Sequence, residues 1–147
     1  MESVLVGVDR SGACRRALEF ALKRARINDW RVTVVHVINW SKYSFNTLEE
    51  NEKRPVTRKQ ELKNAQANVL DPLLAWATGE GLLDGVELAT EIRFGHPSEV
   101  LSELAVEGDY DAVIVARVGD SNLKTAIFGS TASRLAQHAP VPVVVVP

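Results

Sequence analysis

Cysteine is nearly missing from this chain: Cys14 stands alone among 147 residues. A single thiol excludes a disulfide framework and a multi-cysteine metal site, and it sets the expectation of an intracellular chain in which Cys14 packs. No run of lysine and arginine is long enough to form a nucleic-acid stripe, and 17 basic against 19 acidic residues leave a formal charge of −2. Polyanion binding is therefore not expected. No apolar stretch approaches the length of a membrane span, and the residues before Val4-Leu5-Val6-Gly7-Val8 are too few for a signal peptide. A cytoplasmic protein is the expectation. Hairpin signals between strands are lacking as well, and so is any internal repeat.

Three chemical signatures are also missing. There is no G-x-x-x-x-G-K-[ST], so no lysine follows a glycine loop to neutralise phosphate, and fast NTP hydrolysis is not expected. No G-x-G-x-x-G follows the first apolar run, which argues against a dinucleotide oxidoreductase. Ser11 and Ser130 have no paired base, and His36 and His138 have no metal-ligand partner at recognisable spacing. No catalytic residue and no metal ligand is assigned.

What remains is a chain that is 46% hydrophobic, enough for one compact domain over residues 1–147. Val4 to Val8 reads as a strand, with Ser11 as the cap of a helix whose inward stripe is Cys14, Ala17, Leu18, Ala21, Leu22 and Ala25. Phe20 lies off that stripe. Arg31 to Ile38 is a β-branched second strand. Residues 39–55 are polar, with Glu49 to Arg54 the most charged part, and read as a mobile solvated loop. Leu62, Ala65, Val69, Leu73 and Trp76 recur at helical spacing, with Pro72 expected to kink the helix or restart it with Asp71 as cap. Gly79 and Gly81 end it. Val86 to Ile92 is a third strand, and Pro97 opens a helix with Val100, Leu101, Leu104 and Ala105 inward.

The stretch from Asp111 to Pro142 organises the rest. Ala112 to Ala116 is a short buried strand, followed by a polar loop with Gly119 that ends at Gly129-Ser130-Thr131, where a helix begins. Ala132, Leu135, Ala136 and Ala139 form its inward stripe. A strand feeding a glycine-bearing loop and a helix N-terminus suits phosphate, because unpaired N–H groups of the first turn favour negative charge. Val141 to Val146 is a final strand among prolines, near a sheet edge.

Five strands alternating with four helices and no hairpins require crossovers, hence a parallel sheet covered on both faces. The fold expected is an open doubly wound α/β sheet, Rossmann-like. Ligands in such sheets bind where strand order reverses. Asp9 and the Gly119 loop form the two walls of that crevice if the first and fourth strands are neighbours.

With these residues placed, the chain resembles the universal stress proteins over nearly its whole length. The likeness rests on Val6-Gly7-Val8-Asp9-Arg10-Ser11, on His36-Val37-Ile38 together with Gly95-His96-Pro97-Ser98-Glu99-Val100-Leu101, and on the family's glycine spacing. That spacing reads here as Ala116-Arg117-Val118-Gly119, nine residues, then Gly129-Ser130, and Ala139-Pro140-Val141-Pro142-Val143 completes it. The resemblance implies an adenine nucleotide alpha hydrolase-like fold and a nucleotide-binding set of Val8, Asp9, Val37, Val115, Ala116, Gly119, Gly129, Ser130 and Thr131. In it, Asp9 and Val37 serve ribose and adenine, and the residues from Val115 onward serve ribose and phosphates. It further implies ATP or AMP as ligand, with Mg2+ as an optional companion, a stress-response sensor or regulator, an unidentified protein partner, and a homodimer through Val141 to Val146.

Two departures bear on this. Ala116 replaces the first glycine, adding a methyl where a ligand comes close, and Asp120 adds a carboxylate beside the phosphate loop. Lys124 and Arg117 are the cations available to offset it. A dimeric interaction module of the same fold that binds no nucleotide is the alternative, and slow ATP hydrolysis is the most that catalysis would amount to.

Overall fold

The computed structural model describes residues 1–39, 48–118 and 129–147. In chain order the elements are β1 (Ser3–Val8), α1 (Ala13–Asn28), β2 (Arg31–Asn39), α2 (Leu48–Ala65), a π-helical turn (Gln66–Leu70), α3 (Asp71–Gly79), β3 (Glu87–Gly95), α4 (Pro97–Glu107), β4 (Ala112–Ala116), α5 (Ser130–His138) and β5 (Val143–Val146). The strands form one sheet in the order β3-β2-β1-β4-β5, and every neighbouring pair is parallel. Val8 stands beside His36 on β2, and Val6 beside Ile114 on β4. The order reverses between β1 and β4, so the doubly wound architecture is the one the sequence implies.

Alternation along the strands sends successive side chains to opposite faces. Val4, Val6, Val32, Val34 and Ile114 meet α1 and α3 on one face, while Leu5, Val35, Val113 and Val115 meet α4 and α5 on the other. The six stripe residues of α1 are all buried. Each fully enclosed Leu or Val stabilises the fold by about 1.5–3 kcal/mol relative to exposure. Tyr110 closes the α4 side, its hydroxyl donating to Thr33 Oγ1 at 2.9 Å. Phe20 packs at the margin of the α1 face under the Arg24 guanidinium, 3.5 Å from the ring centre.

Several expectations need correcting. Residues 48–55 are helical, not irregular. Glu, Lys and Arg are good helix formers, and Glu49 with Lys53 and Glu50 with Arg54 have the i,i+4 order that favours a helix without an apolar stripe to reveal it. Residues 40–47 lie outside the described part of the expected loop. A new α-helix does begin at Asp71 with Pro72 in its first turn, but its N-cap is Leu70 and it follows directly on the π-helical turn. The Asp71 N–H bonds to Gln66 O, five residues back, and this wide turn places the missing N–H of Pro72 next to an already offset ladder. Asp71 makes no cap; its Oδ1 accepts from Gln66 Nε2 at 2.7 Å. The Ser11 hydroxyl does not cap α1, whose N-cap is Gly12. Leu62 and Ala136 are exposed, and the stripes are carried by Ala65, Val69, Leu73 and Ala77 and by Ala132 and Leu135. Strand β3 runs on to Gly95, beyond Ile92, and β5 begins at Val143.

Among the described residues, no helix is long and apolar enough to cross a membrane. Both β3 and β5 are edge strands. All four valines of β5 are partly exposed, as the flanking prolines imply.

Candidate functional site

At the C-terminal ends of β1 and β4 the chain leaves the sheet in opposite directions, and a crevice of about 620 Å³ opens between them. One wall is the β1–α1 turn. Asp9 Oδ1 accepts from the Ser11 N–H at 2.8 Å and from the Cys14 thiol at 3.0 Å, while Cys14 Sγ accepts from the Asp9 N–H at 3.0 Å. An aspartate bonding the N–H two residues on is a local turn device, and the start of α1 beyond it has no side-chain cap. Burial first, then the charge of Asp9, pushes the Cys14 thiol up to about 12. The thiol is thus a neutral strut, not a nucleophile. Beside it, His36 Nδ1 donates to the Val8 carbonyl at 2.9 Å, tying the end of β2 to that of β1.

The opposite wall is the start of α5. Arg117 N–H donates to Val146 O at 2.7 Å, and Gly129 N–H donates to Arg117 O at 2.7 Å, so the end of β4 and the start of α5 are tied to each other and to β5. Gly129 is the extended N-cap of α5 and brings no side chain to its first N–H groups. Those groups stand at the crevice with Ser130 and Thr131, and Arg117 and Arg134 join the same lining. Positive potential from the helix end and two guanidiniums favours an anion there.

Eight of the nine residues implied by the resemblance line this crevice: Val8, Asp9, Val37, Val115, Ala116, Gly129, Ser130 and Thr131. Gly119 lies outside the described residues, as do Asp120 and Lys124. The structure adds residues that the sequence reading left out. His96, Pro97 and Ser98 come from the β3–α4 turn, which a stricter use of the strand-end rule would have included. Glu61 and Asn64 come from α2, facing the end of β2. Among the described residues, Glu61 Oε2 is an enclosed atom with no hydrogen-bond partner. Among the described residues, no three His, Cys, Asp or Glu side chains gather into a group that could hold a metal ion.

The model of the universal stress protein family matches residues 1–147. The chain belongs to the universal stress protein family. A universal stress protein sequence from Staphylococcus saprophyticus is 29% identical over 146 residues, covering 99% of this chain and 83% of that one. Among solved structures, universal stress protein UspA from Lactobacillus plantarum superposes with a TM-score of 0.80 at 24% identity, over 99% of this chain and 97% of that one. A universal stress protein family protein from Arabidopsis thaliana, solved with AMP bound, has a TM-score of 0.63 at 21% identity, over 99% and 91% of the two chains. At these identities the solved structures establish the universal stress protein fold, the same five-stranded parallel sheet.

Proposed function

We propose that the crevice binds an adenine nucleotide and that the protein is a stress-response sensor or regulator acting in the cytoplasm, with residues 1–147 as one functional domain. The observation that carries this reading is the meeting of the Asp9 turn and the α5 N-terminus across the β1/β4 reversal. The hollow between them has the size of a small-molecule site. Asp9 and Val37 take the ribose and base side. Val115, Ala116, Gly119, Gly129, Ser130 and Thr131 take ribose and phosphate, with Arg117 and Arg134 offsetting the phosphate charge. AMP in the Arabidopsis thaliana relative supports the ligand class. ATP and AMP are both candidates, and any Mg2+ enters with the phosphates.

Equilibrium dialysis with ATP, ADP and AMP tests this, with Gly129→Asp as the control that places a carboxylate at the helix N-terminus. Binding lost in the variant supports it; no nucleotide held by the wild type at millimolar concentration rejects it.

A second reading concerns assembly. Strand β5 is a free edge of four partly exposed valines, a surface suited to a second copy of this chain. Light scattering at micromolar concentration, with Val144→Lys for comparison, decides it. A wild-type monomer rejects the homodimer.

A further inference from the structure

Glu61 is half-buried, and one of its two carboxylate oxygens is enclosed. It lies on α2, among the described residues its Oε2 has no hydrogen-bond partner, and it lines the same crevice as Asp9 and Ser130. A carboxylate oxygen shut away from water and left without a donor is destabilising, and a turn of the half-exposed side chain that brings it to a donor on a ligand removes the penalty. One helical turn on, Asn64 lines the crevice too. Its Oδ1 already accepts from Gln60 Nε2 at 3.0 Å, which leaves the Nδ2 amine as the group Asn64 can offer to a ligand.

The two residues belong to the β2 end of the crevice, where α2 packs against β2, whereas Arg117, Arg134 and the α5 N-terminus belong to the β4 end. With β1 between them, β2 and β4 are two strand spacings apart, roughly 10 Å. The crevice therefore has a cationic end for phosphate and, about a nucleoside's length away, an acceptor beside a donor. An acceptor next to a donor complements the edge of adenine, which offers its exocyclic amine as donor beside a ring nitrogen as acceptor. Hypoxanthine replaces that amine by a carbonyl oxygen, which would face the Glu61 carboxylate acceptor to acceptor.

We propose that Glu61 and Asn64 are the base-reading pair of the nucleotide site, the Glu61 carboxylate turning to accept from the adenine 6-amino group and Asn64 Nδ2 donating to a ring nitrogen. This rests on the nucleotide-binding reading above and adds its selectivity. The test compares AMP with IMP by titration calorimetry on the full chain, in the wild type and in Glu61→Gln. Glutamine keeps the size of the side chain but can turn either an acceptor or a donor toward the base. The wild type is expected to prefer AMP by about tenfold or more, and Glu61→Gln to bring the two ligands within about threefold, since a lost hydrogen bond to a charged group is worth at least a decade of affinity. Equal binding of AMP and IMP by the wild type overturns the pair while leaving the nucleotide site standing. A preference that survives Glu61→Gln overturns it as well. Tighter binding of both ligands by Glu61→Gln would mark Glu61 as repelling phosphate and overturn the orientation. Failure of the wild type to bind either ligand overturns the pair and the site together.

Discussion

Alkaline solution should unfold this protein earlier than its lysines and tyrosines alone would dictate, and Cys14 is the reason. The thiol is buried, bonded to Asp9 Oδ1 and faced by the Asp9 charge, and these raise it from 9.0 to about 12. Between those values the folded thiol stays protonated while the unfolded one ionises. The unfolded state then binds fewer protons, and stability falls as pH rises. Each unit of separation corresponds to about 1.36 kcal/mol, so the loss from this group is negligible at pH 8 and about 1.4 kcal/mol at pH 10. Its ceiling, reached beyond pH 12, is about 4 kcal/mol, a large share of the roughly 5–15 kcal/mol that holds a domain together. Urea unfolding followed by tryptophan fluorescence, in reductant, would be run at pH 8, 9 and 10 on the wild type and on Cys14→Ser. Serine does not titrate in this range and keeps a hydroxyl donor for Asp9, so the difference between the two proteins isolates the thiol. The gap should move by about 1.4 kcal/mol between pH 8 and 10, against the wild type. Parallel pH profiles would refute the reasoning and mean that the thiol is not held as described.

Leu22 is fully buried under the sheet, and Leu22→Ala should lower the unfolding free energy by about 2–5 kcal/mol in denaturant titration; a loss under about 1 kcal/mol would place it outside the core. Gly7→Ala would set a methyl 2.8 Å from Leu101 Cδ1 and 3.2 Å from Val115 Cγ1, where overpacking costs about 1–3 kcal/mol, readable as a drop in thermal midpoint. Thr33→Val strands the Tyr110 hydroxyl and should destabilise by about 1–3 kcal/mol, whereas adding Tyr110→Phe should restore part of that loss; strictly additive effects would deny the bond. Arg134→Glu should weaken AMP binding in calorimetry while leaving adenosine nearly unchanged; equal loss for both would remove Arg134 from the phosphate end.

Much of this was legible in the residues. The α1 stripe was read in full because alanines and leucines at helical spacing, with arginines opposite, leave one solution. The order of β-branched runs and crossovers gave the sheet, the strand-end rule brought Asp9, Val37 and Ala116 to one rim, and Gly129 came from the helix start and the family resemblance. The α2 segment was hidden for a physical reason: its N-terminal half has no apolar stripe, so a helix there looks like a charged loop. Ser11 was read as the helix cap because spacing alone does not say whether a hydroxyl reaches an orphan N–H, and α1 starts from Gly12 without a side-chain cap. Glu61 and Asn64 were out of reach altogether, since their place depends on how α2 crosses the end of β2.

The π turn at Gln66–Leu70 works like a keyway that sets the azimuth of everything before it. Ala65, Val69, Leu73 and Ala77 follow one another at intervals of four, a row that drifts around an ordinary α-helix but stays on one line when a wider turn intervenes. Remove a single residue from that turn and the helix, still clamped by Leu73 and Ala77, would swing its leading half by about 100°, carrying Glu61 and Asn64 away from the hollow. One surplus residue in the middle of a helix thus decides which side chains of α2 border the crevice.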